Sequence, residues 1–204
     1  LVEAAEVVIS QVYGGGGNSG AVYHNDFVEL FNRGENAVQL DGWSVQYSSA
    51  AGASWQVAAL NGQIAPGQYY LVQLASGGAN GLALPAADAT STVNLSASAG
   101  KVALVQAMLA LSGSCPTSDA FVDLVGYGTT ASCYEGTNTA PAGSATMSSF
   151  RAGNGCADSD NNRADFFTST PAPRNRTAPA APCAGASVPR ALHELQGKGA
   201  VSPF

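Results

Sequence analysis

Turn signals punctuate the first half of this chain every eight to twelve residues or so, and the segments between them alternate apolar and polar side chains. A strand reverses face at every residue, whereas a helix needs a 3.6-residue period sustained over ~12 residues. No segment here sustains the helical period. Val7-Val8-Ile9-Ser10-Gln11-Val12 is a β-branched run that ends at four glycines, Gly14 to Gly17, read as a flexible hairpin tip. Asp26 to Asn32 puts Phe27, Glu29 and Phe31 on one face and Val28 and Leu30 on the other. Asn32-Arg33-Gly34, Asp41-Gly42, Asn61-Gly62 and Pro66-Gly67 mark turns. Between and beyond them, Trp43, Val45 and Tyr47 alternate, as do Trp55 and Val57, and Tyr69 to Leu74, Val93 to Leu95 and Val102 to Val105 follow. Phe121 to Tyr127 is the last strand the pattern supports, and Gln106 to Leu111 reads as a helical turn or a strand extension. This spacing predicts an all-β sandwich.

Size and composition agree with one packed domain. A chain of 204 residues and 20.4 kDa buries roughly 70% of its unfolded surface, and 46% of its residues are hydrophobic. Charged residues are only 11%, against about 25% in an average protein. Two lysines and six arginines face fourteen acids, for a net charge of −6. That balance excludes a binder that relies on a broad basic face for nucleic acid, though not a small local patch. No apolar run approaches the ~20 residues of a membrane helix, so no membrane insertion is expected. The chain opens with no charged and apolar leader pattern, so any export signal is expected to have been removed already.

The four cysteines, Cys115, Cys133, Cys156 and Cys183, form no C-x-x-C pair, which speaks against a zinc ribbon or a thioredoxin-type centre. An even count with few lysines suggests an exported, oxidised protein. Three connectivities are open. Cys115–Cys133 with Cys156–Cys183 closes the shortest loops, each worth about 3 to 3.5 kcal/mol on the chain-entropy estimate. After about Phe150 the composition changes. Arg151 to Phe167 is polar and acidic, and Pro171, Pro173, Pro179 and Pro182 make the next stretch an extended strap or linker that Cys183 would tie to the body.

Chemistry-bearing clusters are few. His24-Asn25-Asp26 is the only mixed cluster in the first half, and it reads as a loop rim. His193-Glu194 lacks the second histidine of a zinc-protease motif, and no nucleophile elbow or Walker loop occurs. Glu29 shares a face with two phenylalanines, so it needs a partner, for which Arg33 and Arg151 are candidates. Asp158, Asp160, Asn162 and Asp165 place hard oxygens at near-alternate positions, as Ca²⁺ requires. Arg163 stands where an EF-hand has glycine and Ser169 where it has glutamate, so only an irregular Ca²⁺ site or a run of Asx turns fits. Trp43 reads as core, and one of Tyr69 and Tyr70 as exposed, because neighbours on a strand face opposite ways.

The order of these pieces resembles a lamin tail domain. The matching residues are Val8-Ile9-Ser10-Gln11-Val12, Asp26 to Asn32, Val38-Gln39-Leu40-Asp41-Gly42-Trp43, Leu60 to Val72, Asp123 to Gly128, Asp165-Phe166 and Pro171 to Asn175. The resemblance implies an immunoglobulin-like β-sandwich over residues 1–176, a Pro-rich linker over 177–190 and the start of a following domain at 191–204. Cys156 to Asn162, Pro173-Arg174-Asn175 and Leu192 to Gly197 are in addition similar to bacterial extracellular nucleases, in which such a domain precedes accessory and catalytic domains. That likeness implies a secreted, DNA-degrading parent whose catalytic domain uses Mg²⁺ or Mn²⁺. These residues would then serve as a non-catalytic targeting or docking module. Its expected partners are the other domains of the same chain, extracellular DNA or cell-surface components, with Arg151, Arg163, Arg174 and Arg176 as the candidate DNA contacts. Two rival readings stand beside it: a calcium-stabilised adhesion or glycan-binding sandwich, and a part of the nuclease that acts on DNA directly.

Overall fold

A computed structural model describes residues 5–183. The linker end and following-domain start expected at 184–204, with His193 and Glu194, lie outside the described residues. Six strands form the first sheet: β1 (Val7–Tyr13), β2 (Phe27–Asn32), β7 (Tyr69–Gln73), β8 (Ala89–Thr90), β11 (Ser148–Arg151) and β12 (Phe166–Ser169), in the order β12-β11-β1-β2-β7-β8. Four form the second: β4 (Ser44–Ser49), β5 (Gln56–Ala59), β9 (Gly100–Val105) and β10 (Phe121–Tyr127), in the order β10-β9-β4-β5. A small pair, β3 (Val38–Gln39) and β6 (Gln63–Ile64), stands apart. Every pairing is antiparallel except β7 with β8. The all-β, immunoglobulin-like sandwich is the fold the turn spacing and the resemblance led one to expect.

The core lies between the sheets. Ile9, Val28, Leu30, Tyr70 and Val72 from the first meet Val45, Tyr47, Val102, Leu104 and Val125 from the second. Each outer face is covered as well. Residues 171–183 cross the first sheet, where Val8, Phe31 and Tyr69 pack against Cys156, Ala178, Ala181 and Cys183. Residues 106–120 lie over the second, where Trp55, Ala103 and Val105 meet Ala107, Leu111 and Ala120. With both faces covered, β1, β2 and β9 are buried along their whole length, so their polar members Ser10, Gln11, Glu29 and Lys101 are buried with partners. The covering also corrects the expectation for the tyrosines. Tyr69 faces the strap and Tyr70 the core, and both are buried.

Each covering segment is tied by a disulfide. Cys115–Cys133 and Cys156–Cys183 close loops of 18 and 27 positions, the shortest-loop pairing. The Pro-rich strap is docked by specific bonds. Gln11 exchanges side-chain bonds with the Ala172 backbone, Gln68 Nε2 donates to Arg176 O, and Ala181 N donates to Gly67 O at 2.8 Å.

Other expectations differ. β11 and β12 extend the first sheet beyond Phe121–Tyr127, and both escaped the pattern because they are four residues long and interrupted by Ser, Arg and Thr. Gln106 to Leu111 is neither helix nor strand. Gln46 and Ser44 of β4 hold it through Leu109 O, Leu111 N and Ala107 O. The four glycines are no mobile tip. All are buried, and a Cβ at Gly16 would collide with the Asn25–Asp26 backbone, one at Gly15 with Ser144. Glycine is required there so that several backbones can meet.

Candidate functional site

The largest fully buried side chain is Arg151, on β11. Its placement follows from a defect in the sheet. β1 pairs with β11 only at Gln11 and Val12, and its register with β2 shifts between Ile9 and Gln11. The backbone of Ile9 therefore needs other partners on that side. Arg151 Nε donates to Ile9 O at 2.9 Å, and Ile9 N donates to Asp123 Oδ2 at 2.6 Å. Arg151 Nη2 reaches both oxygens of Asp123 at 2.8 and 2.7 Å. Nη1 donates to Asp158 Oδ1 at 2.8 Å and to Ala157 O at 3.2 Å. The guanidinium also lies 4.7 Å from the Phe166 ring centre. Because Asp123 sits on β10 and Arg151 on β11, this ion pair clasps one sheet to the other. Arg33 completes the chain of charges by donating to Asp158 Oδ2 at 2.7 Å.

Asp123, Glu135 and Asp158 form the one carboxylate cluster among the described residues with oxygens all within 4.8 Å of one another. Arg151 supplies its positive charge. Glu135 is the odd acid in this set. Its Oε1 accepts from Leu124 N and its Oε2 from Asn162 Nδ2. Burial, and then the neighbouring Asp123, push its carboxyl up to about 8. Asp26 is raised to about 6 by burial, although Leu95 N and Gly16 N both donate to it. A carboxyl raised in the folded state adds stability that is complete below its unfolded value, near 4, and is lost as pH rises through the folded value. Carboxyl-carbon NMR should therefore show Asp26 titrating near 6 and Glu135 near 8, with melting temperature falling between about pH 4 and 8 and levelling off above that. Midpoints below 5 for both would contradict this electrostatic account.

The residues read as a calcium set are engaged otherwise. Asp158 is shared between Arg33 and Arg151. Asn162 Oδ1 accepts from Gly126 N and Glu135 N, while its Nδ2 donates to Leu124 O. Asp165 accepts from Ser159 N, Ser159 Oγ and Asn161 N, and these bonds hold its carboxyl below the usual range despite burial. Only Asp160, exposed at φ 52°, carries an uncommitted carboxylate. The run is a set of side-chain and backbone turns around one short helix, α1 (Asn162–Asp165).

The four candidate DNA-contacting arginines divide. Arg151, at 1% exposure, is core and cannot reach a phosphate, which corrects its assignment. Arg174 Nε and Nη2 grip Glu29 at 3.1 and 2.8 Å, and its guanidinium lies 3.6 Å from the Tyr69 ring centre. Arg174, with Ser10 Oγ at 2.6 Å, is thus the partner Glu29 required, in place of Arg33 or Arg151. A composition-rich strap concealed it, since nothing local linked residues 145 positions apart. Arg176 pairs with Asp88 at 3.0 Å. Arg163 is exposed and has no ion pair among the described residues. Of the aromatics, Trp55 is buried and donates to Gly113 O, whereas Trp43 is only partly buried.

Two packed sheets with covered outer faces, clasped by a buried arginine, define an immunoglobulin-like module. The Lamin Tail Domain family model matches residues 3–129, and the chain belongs to that family. It is also similar in fold to the crystal structure of a DUF4876 family protein from Bacteroides thetaiotaomicron VPI-5482. That likeness has a TM-score of 0.56 and 10% identity, and covers 88% of this chain and 75% of the other. No curated protein matches the sequence. Two closed disulfides fit an oxidising compartment, and no helix among the described residues is long and apolar enough to cross a membrane.

Proposed function

We propose that this chain is a non-catalytic docking module of a secreted protein, and that its parent degrades DNA. The observation that supports the first half is the occupancy of the acidic cluster. A metal-dependent nuclease needs converging carboxylates free to hold a cation beside a phosphate. Here Asp123 and Asp158 close on Arg151, which also satisfies the Ile9 backbone. Their charges maintain the fold. The nuclease parent rests on the likeness of Cys156 to Asn162 and Pro173-Arg174-Asn175 to bacterial extracellular nucleases. Secretion is favoured by the two disulfides.

The partner this reading favours is protein. Stable binding to duplex DNA takes several phosphate contacts from Lys and Arg, and Arg163 is the one candidate of the four without an acid partner among the described residues. Incubation of plasmid DNA with the chain and Mg²⁺ or Mn²⁺ should leave the plasmid intact, as in EDTA. Labelled duplex should show no saturable anisotropy change up to ~100 μM at low salt, a range in which non-specific DNA binders respond. Metal-dependent nicking lost in Asp160→Asn would instead place catalysis in these residues. Steeply salt-dependent binding would restore DNA as the partner.

A further inference from the structure

At the end of the sandwich where β1 and β10 begin, the core opens into a cleft of about 630 Å³, within the range of peptide and small-ligand sites. Val7, Val38, Trp43, Phe121 and Val122 form its apolar walls. Three of these, Val38, Trp43 and Val122, are partly buried extensions of the main core. Trp43 differs from its counterpart Trp55 in its lower burial and in its indole donor. The Trp55 indole N–H is bonded to Gly113 O at 3.0 Å, while the Trp43 indole N–H has no acceptor among the described residues. An amphipathic ring with a free donor at the mouth of a core is the kind of side chain that anchors a partner.

The rim fixes the sign of that partner. Glu6, Asp119, Asp158 and Asp160 border the cleft. Asp158 is closed by its two arginines, but Glu6, Asp119 and Asp160 are exposed and have no cationic partner among the described residues. These three do not form a metal-sized cluster; among the described residues the one such group is Asp123, Glu135 and Asp158. Carboxylates spread around an apolar, indole-bearing floor suit a long side chain with an apolar stem and a charged, planar head. They repel phosphate, nucleic acid and anionic lipid alike.

We propose that this cleft receives a peptide segment of a protein partner, in which an arginine is flanked by apolar residues. The flanking residues contact the Val38, Phe121 and Val122 walls. The guanidinium lies between the Trp43 ring and the carboxylates of Asp119 and Asp160. The proposal rests on the docking reading above and adds the site and the chemistry of the partner.

The test uses the whole chain and a defined probe, the acetylated and amidated pentapeptide Ala-Leu-Arg-Leu-Ala, with its citrulline counterpart as the neutral isostere. Binding is followed at the Trp43 indole N–H resonance, with Trp55 as internal reference. A saturable shift of Trp43 alone is expected in the millimolar range or below. Loss of the peptide charge should weaken binding about fivefold, the upper reach of one exposed ion pair. Asp119→Asn with Asp160→Asn should weaken it similarly, and both substitutions are at exposed positions that leave folding intact. Salt at ~1 M, where the screening length is ~3 Å, should remove the difference between the two peptides. Equal affinity for arginine and citrulline peptides, or an unmoved Trp43 up to ~10 mM, a Kd weaker than about −3 kcal/mol, overturns the proposal. Arg190 lies outside the described residues, and a Trp43 shift produced by Arg190→Gln without any peptide also overturns the proposal, by assigning the cleft to this chain's own segment. Failure here leaves the plasmid assay untouched, and nicking in that assay leaves the peptide result standing, so the two readings fail separately.

Discussion

Replacing Arg151 by methionine should destabilise the domain by about 3–5 kcal/mol, the range for removing one partner of a buried ion pair. For a chain of this size that is roughly 6–20 °C in melting temperature. The size of the loss comes from what remains. Asp123 and Asp158 have side-chain exposures of 3% and 6%, and neither has another cation that is equally buried. Methionine fills the volume beside Phe166 but leaves Ile9 O without its donor. The charge origin of the loss can be separated from the packing origin. Without the guanidinium, the folded state favours protonated Asp123, so its carboxyl rises. Stability of the variant should then recover as pH falls toward 4 and be lost as pH rises, narrowing the gap to wild type in acid. Adding Asp123→Asn should restore part of the loss at pH 7, with a coupling of about 0.5–3 kcal/mol in the double-mutant cycle. A variant within ~0.5 kcal/mol of wild type is what an exposed phosphate contact would give, and it would refute the clasp.

Removing the second disulfide by Cys156→Ser with Cys183→Ser should cost about 3.5 kcal/mol, from the entropy of a closed loop of 27 positions. That corresponds to roughly 7–14 °C. The loss should also be local. The strap from Pro171 to Cys183 is held by Arg174 on Glu29, Arg176 on Asp88 and Ala181 on Gly67. Those bonds have little secondary structure to support them, so the strap should open before the sheets do. Amide exchange at Ala181 and Arg174, whose N–H groups bond Gly67 O and Glu29 Oε2, should accelerate more than exchange within β2. A loss below ~1 kcal/mol with unchanged exchange would mean that the noncovalent contacts alone hold the strap.

The sandwich was legible because strand periodicity and turn chemistry are local properties. Phe27, Glu29 and Phe31 did share a face, opposite Val28 and Leu30. A charge on an otherwise apolar face announced that a partner had to exist. It could not announce which one, since Arg174 reaches Glu29 only after the strap is folded back. Asp123 carries the same signal within the otherwise apolar run Phe121 to Tyr127. It was the cue that a buried arginine would be found. The glycine run misled for the opposite reason. Four glycines read as freedom when only the chain is considered, and the structure uses them as close approach. The cleft was not legible at all. It is assembled from β1, β3, β10 and the loops beside Trp43 and Asp158, segments more than 150 positions apart in sequence at the extremes.

The Cys156–Cys183 bridge also determines where a pull on this chain would be felt. Tension on residues beyond Cys183 enters the fold at Cys156, through a covalent bond, and bypasses both the strap and β12. The 27 positions between the two cysteines carry none of that load. Among them, the strap residues 171–182 represent roughly 40 Å of extended length held in reserve, released only when the bridge is reduced. In an oxidising medium the module is therefore a short, stiff link between its first sheet and whatever follows it. Under reduction it becomes an extensible tether, with the sandwich still folded at its far end.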